Sequence, residues 1–211
     1  RRILCYGDSN TYGHDPKDGS RLPRDQRWTG ILAGLLGDGY EIIEEGLCGR
    51  TTVYACPDAP WSSGLPYLTP CVLTHRPFDL MILMLGTNDL QVPFQAIPLT
   101  AARGVEALVR RYRSLDWGPE GAPRILLVSP IHIGDVSVNP VFGPLFGYER
   151  ASNYSRELAP YYRDVADRLG CEFLDAAQFA SPSPVDGLHM DPEEHAKLAR
   201  AFAEKIREIF A

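Results

Sequence analysis

The stretch "DLMILML" (79–85) decides the fold. After Asp79 every residue is apolar, with no alternation of apolar and polar positions. A strand that is half exposed alternates, whereas a strand covered on both faces is apolar throughout. Four other short runs read as strands: "RILCY" (2–6), "YEIIEE" (40–45), "RILLVS" (124–129) and "CEFLD" (171–175). Helical periodicity fills the gaps between several of them. "RWTGILAGLLG" (27–37) spaces Trp28, Ile31, Leu32 and Leu35 along one face and stops at Gly37. Residues 99–115 and 149–169 are also helical in period, with a kink or break expected at Pro160. Residues 191–210 carry Asp191 as an N-cap, Pro192 at the first helical position and two glutamates in the first turn. Strands alternating with helices predict a three-layer α/β/α sandwich around a central parallel five-stranded sheet. Two segments, 52–70 and 131–149, break the alternation and read as long irregular loops, a common source of pocket walls.

The chain has 211 residues, so one domain spanning 1–211 is expected, large enough to bury a core without covalent staples. A formal net charge of -6 lacks the basic footprint of a nucleic-acid binder. No apolar run reaches the roughly 18 residues of a membrane span. Five cysteines without a C-x-x-C signal neither a zinc site nor a disulfide framework. Free thiols suit a reducing compartment, and a cytoplasmic location is expected. No signal peptide is recognised after Arg1.

Ligands of open parallel sheets bind beyond the carboxyl ends of the strands. Polar motifs fall at several such ends. Gly7-Asp8-Ser9 follows the first strand, "GLCGRTT" (46–52) the second and Gly86-Thr87-Asn88-Asp89 the third. "VDGLHMD" (185–191) precedes the last helix. Alone, each is an ordinary turn. Together they supply what acyl transfer needs: a nucleophile, a base, a group that orients the base, and donors for an oxyanion. Ser9 is the candidate nucleophile, His189 the base and Asp186, three residues earlier, its orienting carboxylate. The backbone N–H groups of Ser9 and Gly49 and the side-chain amide of Asn88 are candidate oxyanion donors, with Gly46 a rival to Gly49. Asp8 and Asp89 read as hydrogen-bonding supports, and Arg50 as a tie for its loop. Asn10, Trp61, His132, Phe142 and Phe146 are candidate pocket walls. His14, His75 and His195 read as solvated or structural.

These blocks resemble the SGNH hydrolases, also called GDSL-type esterases and lipases, which are named for Ser, Gly, Asn and His. The four letters match Ser9, Gly49, Asn88 and His189, in family order from residue 7 to residue 189. "EEGL-x-x-RTT" (44–52) and "MLGTND" (84–89) are more similar to bacterial arylesterases and acyltransferases of that family. The resemblance implies the flavodoxin-like SGNH hydrolase fold, a Ser9–His189–Asp186 triad and hydrolysis of small, acetyl-type esters of aryl alcohols or sugars. It also implies acyl transfer to an alcohol or peroxide in an apolar pocket, no cofactor or metal, and a homo-oligomer. Two positions depart from the pattern. Asn10 replaces the usual Leu, and His132 stands in the 131–149 loop where relatives often carry prolines.

Two other readings stay open. A metal-dependent hydrolase would use Asp186, His189, Asp191 and His195, with Glu194 nearby. A non-catalytic carbohydrate-binding module would keep the fold without the chemistry.

Overall fold

The computed structural model describes all residues 1–211. Five strands form one parallel sheet: β1 (Arg2–Gly7), β2 (Glu41–Gly46), β3 (Leu80–Met84), β4 (Arg124–Ser129) and β5 (Glu172–Asp175). Their spatial order is β2-β1-β3-β4-β5. The five expected strands therefore form within about one residue of their sequence positions. The chain reverses its direction of winding between β1 and β3, which opens a crevice at their carboxyl ends. Ser9 follows β1 and Asn88 follows β3, so both emerge at that crevice.

The strand period of two sorts the core. Leu4 and Tyr6 of β1, Met81 and Leu83 of β3, and Ile125 and Leu127 of β4 pack on one face. They meet helices α3 (Gly64–His75), α4 (Pro98–Arg113) and α7 (Leu158–Leu169). Ile3, Cys5, Leu80, Ile82, Leu126 and Val128 pack on the other, against α2 (Trp28–Leu36) and α8 (Pro192–Phe210). Both faces of β3 are thus buried, as its sequence requires. The remaining helices are short: α1 (Ser9–Tyr12), α5 (Phe142–Phe146) and α6 (Glu149–Arg156).

Three local expectations are corrected. Residues 52–70 are not wholly irregular, because α3 begins at Gly64 and runs through Pro70. Pro70 removes one helical N–H, but Leu68, Cys71 and Val72 bury against the core and hold the helix. The break in 149–169 lies at Glu157, ahead of Pro160. The Pro160 ring excludes the carbonyl four residues back, that of Arg156, so α6 ends there. Pro160 itself sits in the first turn of α7, where a missing N–H costs little. Asp191 occupies the N-cap position of α8, but its side chain makes no capping hydrogen bond.

Candidate active site

β1 delivers Ser9 through a tight turn. A Cβ on Gly7 would fall 2.0 Å from Thr11 Oγ1 and 3.0 Å from the Met84 carbonyl, so only glycine fits between β3 and the turn. Asp8 then caps α1, its carboxylate accepting from the Asn10 N–H at 3.0 Å. Ser9 opens the helix and is nearly buried.

The segment 183–190 positions His189, the candidate base. Gly187 has φ +71°, and a Cβ there would fall 2.3 Å from the Asp135 carbonyl. This turn brings Asp186 back onto His189. Asp186 Oδ1 accepts from the Leu188 and His189 N–H groups at 2.8 and 2.9 Å. Its Oδ2 meets His189 Nδ1 at 2.6 Å, and His189 Nε2 lies 2.9 Å from Ser9 Oγ. Burial pushes the Asp186 carboxyl up, but the hydrogen bond and charge of His189 and the two backbone donors outweigh it and hold the carboxyl below its ordinary value. A carboxylate on Nδ1 leaves the Nε2 lone pair facing the serine.

Asn10 is a tie between these two segments rather than a pocket wall. Its amide donates to the Leu188 carbonyl at 3.3 Å and accepts from the Met190 N–H at 3.2 Å. Both bonds are buried and tie the segment of Ser9 to that of His189. A leucine there could make neither.

The loop after β2 is fixed from beneath. Arg50 Nη1 donates to the Gly7 carbonyl at 3.0 Å and to the Glu45 carbonyl, while its guanidinium lies 4.3 Å from the Tyr6 ring centre. Asp89 accepts from both the N–H, at 3.0 Å, and the hydroxyl of Thr52. Asn88 Nδ2 donates to the Arg50 carbonyl at 3.1 Å, and its Oδ1 accepts from Gln91 at 3.1 Å. Those two bonds orient the amide and leave its second N–H for the cleft. Gly49 has φ +77° and open space where a Cβ would be. Gly46 ends β2 with its Cβ position 2.2 Å from the Tyr12 nitrogen, so it serves close packing.

Asp8 and Asp89 are fully buried without a cation on either carboxylate. Burial pushes each up to about 6, against hydrogen bonds from Asn10 and Thr52 respectively that pull the other way.

A cleft of about 250 Å³ joins Ser9, His189, Gly49, Asn88, Phe142 and Phe146. The two largest of several larger hollows, of about 510 and 580 Å³, border Phe78 and Glu120, share no lining residue with this cleft and hold no nucleophile–base pair. Two expected wall residues are elsewhere. Trp61 is 66% exposed, and His132 is half-buried among the charges of Arg156 and Asp175. His14, expected to be solvated or structural, belongs to the cleft. Gly13 reverses the chain after α1, and the His14 ring comes to rest on His189 with centroids 4.1 Å apart. Burial, then the charge of His189, push the His14 imidazole down. A histidine five residues past Ser9, behind a helix-stopping glycine, is the available signal.

The alternative metal set does not assemble. His195 is buried on α8 and accepts from the Trp28 N–H at 3.2 Å through Nδ1, and burial pushes it down to about 3. Glu194 is held by the Ser181 N–H and Lys197. The metal-ligating group that does converge there is His14 with Asp186 and His189, inside the cleft itself.

The chain is similar to known proteins across its whole length. A family model for the GDSL-like lipase/acylhydrolase family matches residues 5–197. An acetylxylan esterase of Xylanibacter ruminicola is 24% identical over 98% of this chain, which spans 43% of that protein. The chain thus covers less than half of that relative's length. A carbohydrate acetylesterase from Sinorhizobium meliloti superposes with a TM-score of 0.93 at 38% identity, covering 99% of both chains. An aryl esterase from M. smegmatis superposes with a TM-score of 0.92 at 40% identity, again over 99% of both. No helix is long and apolar enough to cross a membrane. With its strand-end motifs converging on one crevice and a family match over most of its length, the chain belongs to the GDSL-like lipase/acylhydrolase family.

Proposed function

We propose that the protein is a carboxylic ester hydrolase acting on small acyl esters through Ser9, His189 and Asp186. The observation that carries this reading is the unbroken chain of contacts from Asp186 through both nitrogens of His189 to Ser9 Oγ. His189 Nε2 takes the hydroxyl proton as Ser9 Oγ attacks the ester carbonyl. Asp186 holds the ring in the tautomer that can accept and then stabilises the imidazolium. The oxyanion is received by the N–H groups of Ser9 and Gly49 and the free N–H of Asn88. His189 returns its proton to the leaving alkoxide, leaving an acyl group on Ser9. Water, activated by the same base, releases the acid, and an alcohol in place of water gives acyl transfer.

The size of the cleft points to the acyl class. About 250 Å³ lies below the usual 300–1,000 Å³ of small-molecule pockets, which suits an acetyl group better than a long chain. The similarity to carbohydrate acetylesterases and aryl esterases supports acetylated sugars and aryl acetates as the alcohol side. One catalytic domain over 1–211, self-associating through exposed Trp61, Val141 and Tyr148, belongs to the same proposal. Hydrolysis of p-nitrophenyl acetate tests it. Activity is expected to be lost to an organophosphonate, with the covalent adduct on Ser9, and to be indifferent to EDTA. Full activity in Ser9→Ala would sink it.

A further inference from the structure

A second group of metal-ligating side chains lies outside the cleft, on the other side of the β2 loop. Cys71 and His75 stand one helical turn apart on α3, which puts both on one face. Glu45, next to last in β2, points at the same spot. One ligand atom from each of the three lies within 4.8 Å of the other two. His75 Nε2 and Glu45 Oε1 are already 2.7 Å apart, and the Tyr67 hydroxyl reaches the same oxygen at 3.5 Å. Cys71 is buried, while the His75 and Glu45 side chains keep 27% and 16% exposure and open the group to solvent.

We propose that Glu45, Cys71 and His75 form a binding site for a borderline-soft divalent cation of the zinc class, separate from the active site. The donor set decides the class. A thiolate and an imidazole select zinc over magnesium or calcium, which require oxygen ligands. One nitrogen, one sulfur and one carboxylate oxygen fill three positions of a tetrahedron, and water takes the fourth. In the metal-free protein the thiol is inert, because burial and then the Glu45 charge push it up to about 12. A dication reverses that balance. The S–H proton leaves to solvent as the metal–sulfur bond forms, and His75 binds through Nε2 in its neutral form while its hydrogen bond to Glu45 opens.

The site has a structural consequence. The Glu45 main-chain carbonyl accepts from Arg50, whose own carbonyl holds the Asn88 amide. A metal on Glu45 therefore stiffens the exit of β2 immediately before the loop that carries Gly49.

The full-length protein, reduced and then stripped with EDTA and desalted, is titrated with Co2+ and then with Zn2+. The expected result is saturation at one ion per chain with a thiolate-to-cobalt charge-transfer band, release of about one proton, and displacement by Zn2+. The band should survive in Cys48→Ser and vanish in Cys71→Ser. This separates the site from the cleft, where Cys48 and His14 are also found. His75→Ala is less buried and keeps the test alive if Cys71→Ser unfolds by circular dichroism. Its affinity should drop by about a hundredfold, since loss of a mere outer-shell partner already costs 10–100-fold. The proposal is overturned by absence of the band, by its dependence on Cys48 instead of Cys71, or by unchanged affinity in folded His75→Ala. Because activity is not the readout, this result stands apart from the test of Ser9.

Discussion

His189 and Asp186 meet at 2.6 Å, and His75 and Glu45 meet at 2.7 Å. Judged by that contact alone the two pairs are equivalent. They differ in what lies beyond the ring. The second nitrogen of His189 faces Ser9 Oγ at 2.9 Å in a cleft bordered by Gly49 and Asn88. His75 faces a buried thiol on its own helix instead. Both members of the first pair are almost wholly buried, whereas the second is partly wet. A histidine–carboxylate contact is thus an orienting device in either place. What separates the two places is the third group beside the imidazole, a hydroxyl at His189 and a thiol at His75.

The largest separation between the pairs should come from Ser9, the proposed nucleophile. Ser9→Ala is expected to lower kcat on p-nitrophenyl acetate by on the order of a millionfold, as removal of the serine does in other triad enzymes. Adding His189→Ala to it should cost little more, because the two act as one unit. Additive losses would mean that they do not. Next comes the carboxylate. Asp186→Asn keeps the shape but donates where Asp186 accepts, so the ring is held in the wrong tautomer. A loss of about 10⁴ in kcat is expected, against a much smaller one for Glu45→Gln. Comparable losses from both would erase the distinction. Asn88→Ala removes a single oxyanion donor, and a fall of about 10²–10³ in kcat with little change in KM is expected. A rise in KM alone would make Asn88 a binding residue.

Much of this was readable from the sequence because strand ends carry it. Three polar motifs, each weak alone, follow strands whose burial can be inferred, a fourth precedes the last helix, and a parallel sheet brings such ends together. Asn10 shows where that reasoning stops. As a departure from the family's usual Leu it reads as a candidate pocket wall, but its partners are backbone groups at Leu188 and Met190, far away in the sequence. The place of His14 is hidden for a similar reason, since its tilted ring contact with His189 depends on how the chain doubles back at Gly13. Helix α3 was hidden by its own prolines. Its stability comes from buried Leu68, Cys71 and Val72, a tertiary effect that outweighs local propensity. The Glu45, Cys71 and His75 group needs that helix, so it could not be found before α3 was.

Buried carboxylates without a histidine provide a contrast in pH. Asp186 is pulled down by its partner, while Asp89, held only by Thr52, is pushed up to about 6 from an ordinary 3.8. The signs are opposite. Between those two values the native protein keeps the Asp89 proton that the unfolded chain has lost, so this group's stabilisation is present at low pH and disappears as pH rises toward 6. Two pH units correspond to about 3 kcal/mol. Asp186 acts the other way, stabilising above the unfolded value and losing that contribution as pH falls. Urea midpoints measured from pH 4 to 7 should therefore decline less steeply in Asp89→Asn than in the unsubstituted protein. Identical slopes would show that Asp89 is ionised throughout.

The smallest effect belongs to the outer pair and bears most directly on the contrast. In the metal-free protein, His75→Ala removes one partner of a contact that water can partly replace. Partly exposed ion pairs contribute up to about 1 kcal/mol. The same substitution at His189 removes the proposed base and leaves the buried Asp186 without its partner, so kcat should fall by several orders of magnitude and stability should fall with it. At His75 both effects should be small: a loss of up to about 1 kcal/mol in stability, and a kcat change below about tenfold, transmitted only through Glu45 and Arg50 to the loop of Gly49. Paired urea denaturation and steady-state kinetics on the two variants read both quantities. A large kcat loss in His75→Ala at unchanged stability would mean that the outer pair reaches the chemistry, and the division drawn between the two would fail.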